Sequence, residues 1–516
     1  MKKINSFVKY ALVAFSVTTF GYACTDVDED LYSQVSEEEY LNNILKNYTD
    51  DQYAQAFLSA YAPLTAFGGH NNITSDQEVS SDEVAIPTRG KDWGDGGQWT
   101  RMHTHKFTAN EESLNNSWKS LYLGVATCNR LIKELPAIRP EKAAPTIAEL
   151  RALRAFYYLN LCDMFGGVPL IVTYPGVVAE AAPKTRAEIY AFIEKELVES
   201  SAGLSKNVDA TTYGRMNYWV AKSTLARLYT NAEVYTGAAQ WDKVIRETDE
   251  IITANKYRIE SNYYANFSPT NNNSMENIFV VPFDAAKLKD FNLAQMTLHY
   301  ESKATFNMQE QPWNGYCTVA DFYNSYAAND ARKANFIVGF QKASNGVDTL
   351  KDQEAESTDP DGKPLNFTPE INQLAPSALR QAGARIGKYK VESGATRNLN
   401  NDFPLFRYAD ILLMKAEALW RKNNADPTAL SLVNQIRSRA GATAFTTLTA
   451  NDLLAERGRE LFYEAVRRTD IIRFGKFTQA YAPFKTEVDP ACKTIFPIPQ
   501  PQLNANKSLK QSSCYQ

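Results

Sequence analysis

Histidine and cysteine are scarce, at four and six residues in a chain of 516. These side chains supply most transition-metal ligands and many nucleophiles, and their spacing here suits neither use. No CxxC occurs, and His103 and His105 alternate as on a strand rather than standing four apart on one helix face. Five cysteines follow residue 24, namely Cys128, Cys162, Cys317, Cys492 and Cys514. An odd number at these spacings suggests no disulfide framework, and Cys162 reads as a small buried hydrophobe. H-E-x-x-H, G-x-S-x-G and a glycine-rich phosphate loop are all missing, which removes the commonest hydrolase and nucleotide-binding signatures. "DPDG" at 359–362 lacks the remaining ligands of a calcium loop and reads as a turn. No metal or other cofactor is expected. Lysine and arginine are dispersed and the net charge is −4. There is no basic stripe to displace counterions, so nucleic acid is not an expected partner. Beyond the N-terminus no apolar run approaches membrane-spanning length.

What is present begins with "MKKINSFVKY" and "ALVAFSVTTF", a basic segment followed by a short apolar one. With "GYAC" they read as an export signal over 1–23. The cysteine after the small residue resembles a bacterial lipobox, with Cys24 as the lipidated first mature residue, although Gly21 and Tyr22 depart from the usual pattern. The alternative is an ordinary signal peptide cut nearby. Asp26, Asp28, Glu29 and Asp30 then form an acidic tether over 24–40. Such a run resembles the tag that routes lipoproteins to the outer face of the cell.

The body, 41–516, reads as mostly α, with helical pairs, long irregular insertions and a few short strands; its length allows one large domain or two intimately packed ones, and 41–516 is taken as one. Over 151–165, Leu153, Phe156, Tyr157, Asn160 and Leu161 share one side, and Gly166, Gly167 and Pro169 stop the run. "RMNYWVAKSTLARLYTNAEVY" (215–235) is followed by "AAQWDKVIRETDEII", and 407–422 is followed by a partner with Asp426 at its N-cap and Pro427 in its first turn. Pairs of this kind resemble tetratricopeptide repeats. Insertions at 67–100, 261–275, 307–318 and 340–400 interrupt them, and long irregular segments tend to carry function. In "ERGRELFYEAVRR", Leu461, Phe462, Ala465 and Val466 are expected in the core, and Glu464 precedes Arg467 and Arg468 at ion-pair spacing. Glu456, Glu460 and Glu464 therefore read as a solvated or interhelical charge network rather than catalytic acids.

Six stretches together are similar to the SusD/RagB family of outer-membrane nutrient-binding lipoproteins: "RALRAFYYLNLCDMFGGVPL", "WVAKSTLARLYT", "FPLFRYADILLMKAEAL", "ALSLVNQIRSRAG", "ERGRELFYEAVRRTDIIRFGK" and "FPIPQPQLNANKSLKQSSCYQ". The resemblance implies a helical fold with four tetratricopeptide-like pairs and glycan contacts from inserted loops. It also implies a partner TonB-dependent, SusC-like transporter and a lipid-anchored position on the outer membrane, facing outward.

A sugar ring offers an apolar C–H face that stacks on an indole, while its hydroxyls need in-plane polar partners. "NNITSDQEVSSDEVAIPTRGKDWGDGGQW" supplies that mixture, with Asn71, Asp82, Trp93, Asp95 and Trp99 as candidate ligand-binding residues. Gly94, Gly96 and Gly97 permit tight turns there. Trp93 is the favoured platform, and Trp99, the second candidate, leads into "TRMHTHKF". A second cluster, "QEQPWNGYCTVADFYNSY", adds Trp313 and Tyr316, with Arg385 and Arg397 as hydroxyl donors. The expected function is non-catalytic capture of oligosaccharide or polysaccharide. A surface glycoside hydrolase, which needs only two suitably placed carboxylates, and a repeat-type protein-interaction lipoprotein are the alternatives.

Overall fold

The computed structural model describes residues 47–176, 181–353, 362–481 and 483–516. The export signal, Cys24 and the acidic tether lie outside the described residues, as do 359–361 of "DPDG". The helical body is built from α1 (Asp50–Leu58), α2 (Ile73–Val79), α3 (Gln98–His103), α4 (Glu112–Ile138), α5 (Ala143–Phe165), α6 (Arg186–Ser201), α7 (Tyr218–Thr230), α8 (Trp241–Thr253), α9 (Tyr408–Lys422), α10 (Pro427–Arg439), α11 (Ala450–Leu461) and α12 (Arg467–Arg473). Neighbours in sequence pack together: α4 on α5, α5 on α6, α6 on α7, α7 on α8, and α9 on α10. Helix α8 packs on α9 as well, so the array continues across the long insertion between them. Among the described residues no helix is long and apolar enough to cross a membrane.

Local chemistry explains where these helices start and stop. Thr185 and Thr449 each form a reciprocal capping box, with Glu188 and Asp452 respectively. The Asp426 side chain accepts from the backbone of Thr428 and Ala429, and Pro427 follows at the first helical position. Helix α5 ends at Gly166, whose positive φ of 73° suits a residue without a side chain. Helix α5 is buried nearly all round, from Leu150 to Phe165, so its apolar positions do not form a single stripe. One contiguous apolar cluster runs from Tyr53 to Leu509 and includes α5, the inner face of α9 and insertion residues such as Phe279, Phe336 and Ile386.

The strands are short antiparallel pairs that join distant loop segments to one another. β1 (Val84–Ala85) pairs with β3 (Cys317–Thr318), bringing Val84 opposite Thr318. β2 (Asn277–Val281) pairs with β8 (Phe403–Arg407), which runs directly into α9. β4 (Phe336–Ile337) pairs with β7 (Arg385–Ile386), and β5 (Gly339–Phe340) with β6 (Asn366–Phe367).

Three local expectations are corrected. Cys492 and Cys514 are joined in a disulfide that closes the C-terminal segment, a pairing that an odd cysteine count had hidden. His103 ends helix α3 and His105 lies beyond it at φ 55°, so the two are not on a strand; both are buried. The helical spacing of Glu464 with Arg467 and Arg468 does not exist, because α11 stops at Leu461 and Tyr463 and Ala465 take positive φ. Arg467 instead pairs with Asp82 at 2.7 Å and Arg468 with Asp163 at 3.1 Å.

The glutamates of α11 and the turn after it form a buried network. The Arg407 guanidinium reaches Glu276 at 2.5 Å, Glu460 at 3.0 Å and Glu464 at 2.6 Å. Arg332 lies 2.8 Å from Glu456 and 3.0 Å from Glu460, Arg439 lies 2.5 Å from Glu460, and Lys388 lies 2.6 Å from Glu464. Burial alone would push the Glu460 carboxyl up, but Arg439, Arg407 and Arg332 together hold it well below the usual carboxylate range. The network ties Glu276 just before β2, Lys388 just after β7 and Arg407 at the end of β8 to α11 and the turn after it, so these acids hold the insertion to the helical body.

Candidate functional site

The β1–β3 pairing joins the two aromatic segments read from the sequence. Downstream of β1, Arg89 and Asp92 bridge each other and the chain turns through Trp93 at φ 59°, Asp95 at φ 35° and Gly96 at φ 58°. Upstream of β3, Trp313 donates its backbone N–H to Gln295 at 2.7 Å and Asn314 donates to Leu298 at 2.9 Å. The two loops then meet directly, since the Trp93 indole N–H donates to the Trp313 carbonyl at 2.5 Å across 220 residues of sequence. Gly315 makes this approach possible: a β-carbon there would lie 2.2 Å from the Trp93 ring.

The result is an open cleft of about 500 Å³ lined by His70, Asp92, Trp93, Asp95, Tyr300, Gln311, Pro312 and Trp313. Both tryptophans are half-buried, with one side against the protein and the rest in the cleft. The Tyr300 hydroxyl donates to the Asp92 carboxylate, which fixes an acidic group at the wall. Arg397 lies over the Trp313 ring at 5.7 Å and pairs with Glu310 at 3.0 Å. His70 sits among four rings, 5.0 Å from Trp93 and 6.4 Å from Trp313, and its Nδ1 is 3.0 Å from the Tyr316 hydroxyl. Burial pushes its pKa down to about 4 against the pull of Asp95, so the ring is neutral at ordinary pH. The cleft therefore offers aromatic faces, carboxylates, a primary amide and a neutral imidazole.

Of the residues singled out in the sequence, Trp93, Asp95 and Trp313 line this cleft together. Trp99 does not: it is buried on α3, and its Nε1 donates to the Asp95 Oδ2 at 2.7 Å, fixing that carboxylate from behind. Tyr316 is also buried, bonding Ser75 Oγ at 2.6 Å beneath His70. Arg385 is buried and offers no hydroxyl donor to a ligand. Its Nη2 donates to the Asn314 Oδ1 at 2.8 Å and its Nη1 to the Ala382 carbonyl at 2.8 Å. That grip holds Asn314 at φ 58°, and with it the carbonyl and ring of Trp313. Asn71 accepts from Gln98 at 3.0 Å and is occupied in the loop frame. Asp82 lies elsewhere, against Arg467 in a separate hollow of about 250 Å³. The cleft residues missing from the candidate set are His70, Asp92, Tyr300, Gln311 and Pro312. Tyr300, in "TLHYESK", carries no loop signature; Gln311 is adjacent to the "PWNG" turn that did.

An open aromatic cleft carried on inserted loops, backed by paired helices, defines a helical-repeat binding scaffold. The chain is similar to the SusD-like family, two of whose models match separate stretches of it. Residues 373–515 match the SusD family and residues 26–230 match the family described as starch-binding associating with outer membrane. The chain is 25% identical over 447 residues to the starch-binding protein SusD of Bacteroides thetaiotaomicron, covering 78% of this chain and 79% of that protein. It is similar in fold to a SusD superfamily protein from Parabacteroides distasonis, with a TM-score of 0.73, 22% identity and coverage of 91% of this chain and 100% of the other. It is also similar to surface glycan-binding protein A from Bacteroides thetaiotaomicron solved with laminarihexaose, with a TM-score of 0.69, 22% identity and coverage of 90% and 99%.

Proposed function

We propose that this protein binds carbohydrate without transforming it, in the Trp93–Trp313 cleft, at the outer face of the outer membrane. The carrying observation is the meeting of two indoles, from loops 220 residues apart, in one open cleft walled by Asp92, Asp95, Tyr300 and Gln311. Flat apolar rings beside in-plane hydrogen-bonding groups suit a sugar, whose faces are apolar and whose edges are hydroxylated. The family supports the same reading, since relatives are named for binding starch and for a complex with laminarihexaose. Each sugar hydroxyl exchanges water for a comparable bond, so the individual site is weak and releases its ligand readily.

The body over 41–516 acts as one unit, held by a lipid on Cys24 and the acidic tether. Bound oligosaccharide passes to a TonB-dependent, SusC-like transporter, with the anchor raising the local concentration at the pore. Cys24→Ala is expected to release the protein from membranes, and mild-detergent extraction of the native form to recover a β-barrel partner. Two carboxylates in the cleft, Asp92 and Asp95, favour glycoside hydrolysis as the second reading. One experiment separates the two. Titration against an oligosaccharide panel, followed by product analysis, is expected to show binding to the wild type, loss in Trp93→Ala and Trp313→Ala, and ligand returned intact. Unchanged affinity in both variants ends the platform reading, and new reducing ends favour the hydrolase.

A further inference from the structure

A second open cleft, of about 450 Å³, lies between the 208–217 segment before α7 and the 272–278 segment that enters β2. It shares no lining residue with the Trp93–Trp313 cleft, and its volume is that of a small-ligand site. Its wall is unusually rich in amides: Asn217, Asn272, Asn273 and Asn277 stand with Tyr213 and Tyr257. Primary amides donate and accept in fixed directions, which matches vicinal hydroxyls. The lining contains no lysine, arginine or histidine and a single acid, Asp209, so it is suited neither to an anion nor to a cation. Val208 and Met275 remain 38% and 37% exposed at the cleft and supply apolar surface for a C–H face.

The frame around this wall is rigid. The Asn271 side chain donates to the carbonyls of Asn266 and Asp402, each at 2.8 Å, and accepts the Asp402 N–H at 2.8 Å. The Tyr213 hydroxyl donates to the Asp402 carboxylate, and Asn217 Oδ1 accepts from Val220 as the N-cap of α7. One acceptor on the wall is left over. Asn277 is 6% exposed, its Nδ2 donates at a long 3.4 Å to the Asn271 carbonyl, and its Oδ1 has no hydrogen-bond partner among the described residues. A buried acceptor without a partner is unfavourable, and a small turn of this weakly held amide would present it to a hydroxyl in the cleft. We propose that this cleft is a second carbohydrate site, which takes a neutral sugar residue on the Asn272–Asn277 wall.

Saturation-transfer NMR on the full chain tests it, with glucose, galactose, mannose, xylose and N-acetylglucosamine as the probes. The proteins are the wild type, the Trp93→Ala/Trp313→Ala double variant, and that double variant further carrying Asn272→Ala or Asn277→Leu. Asn272 is exposed, so its replacement leaves folding intact even where that of Asn277 does not. The double variant is expected to keep transfer to at least one sugar, and Asn272→Ala to cut that signal several-fold. Silence of the double variant toward all five sugars overturns the second site, and so does a signal unchanged by the asparagine replacements. Transfer in the wild type that vanishes in the double variant supports the first cleft while refuting the second; transfer indifferent to the tryptophans but lost with Asn272 does the reverse.

Discussion

Gly315→Ala tests the tryptophan platform without removing an aromatic ring. A β-carbon at Gly315 would lie 2.2 Å from Cε2 and 2.3 Å from Cζ2 of Trp93. Unstrained carbon contacts are about 3.5–4.0 Å, so one partner must move by about 1.5 Å. The Gly315 backbone cannot retreat easily, because its N–H is held by the Met296 carbonyl at 2.8 Å. The indole can move, since one side faces the cleft. Displacing it breaks the 2.5 Å bond to the Trp313 carbonyl and drives the ring into the space where a sugar would stack. Overpacking in a closed core costs about 1–3 kcal/mol, and relief into an open cleft puts this variant at the low end. Loss of a central aromatic anchor is worth about 2 kcal/mol, or about 30-fold in affinity. Gly94→Ala is the control in the partner loop: φ there is −68°, and an added β-carbon meets only Thr88 Cγ2 at 4.0 Å. Calorimetric titration with an oligosaccharide bound by the wild type, alongside a thermal melt, reads both quantities. The expected result is weakened binding with a nearly unchanged melting temperature for Gly315→Ala, and no effect for Gly94→Ala. Affinity within twofold of wild type, in a Gly315→Ala crystal structure with Trp93 displaced, would refute the reasoning.

Arg407→Met removes the cation shared by Glu276, Glu460 and Glu464 and is expected to cost about 3–5 kcal/mol, because it leaves buried carboxylates undercompensated. Urea unfolding that shows a loss below about 1 kcal/mol would contradict it. Burial raises the Asp76 carboxyl to about 7 despite the hydrogen bond from Ser117 at 2.6 Å, so its contribution to stability is full below pH 3.8 and is lost as pH rises through 7. Asp76→Asn is expected to gain on the wild type over that window, by roughly 4 kcal/mol at most, whereas a constant difference between pH 4 and 8 would exclude the mechanism. Ligand affinity is expected to stay flat from pH 8 down to 5, since His70 protonates only near pH 4; titration at four pH values checks this. The Cys492–Cys514 bond closes a span of 22 residues, for which the chain-entropy relation gives about 3 kcal/mol, and the Cys492→Ser/Cys514→Ser variant is expected to expose the tail to protease before the rest of the chain.

Three-four spacing and terminal caps were enough to place the second half of α5 and the α7–α8 and α9–α10 pairs, because those signals act within one or two turns; α4 and α6 were not read from them. Asp426 and Pro427 start α10 and Gly166 ends α5 where the chain's own chemistry requires it. The aromatic loops were legible too, as tryptophans without apolar neighbours at regular spacing. Their inner architecture was not. Trp93 and Trp99 stand six residues apart in similar surroundings, yet one lines a cleft and the other is buried, since the left-handed turn through Asp95 and Gly96 reverses the chain between them. Arg385 looked like a ligand donor and instead locks Asn314 from the interior. The end of α11 at Leu461 had no glycine or proline to announce it; Glu78 and Glu83 receive the freed N–H groups of Ala465 and Tyr463 from the far side of the sequence. Local sequence thus determined several of the paired helices, the ends marked by caps or glycine, and the aromatic character of the insertions. Which aromatics share a cleft, and which charges are buried together, was decided by pairings such as β1 with β3, whose partners are more than two hundred residues apart and leave no periodic trace in either strand.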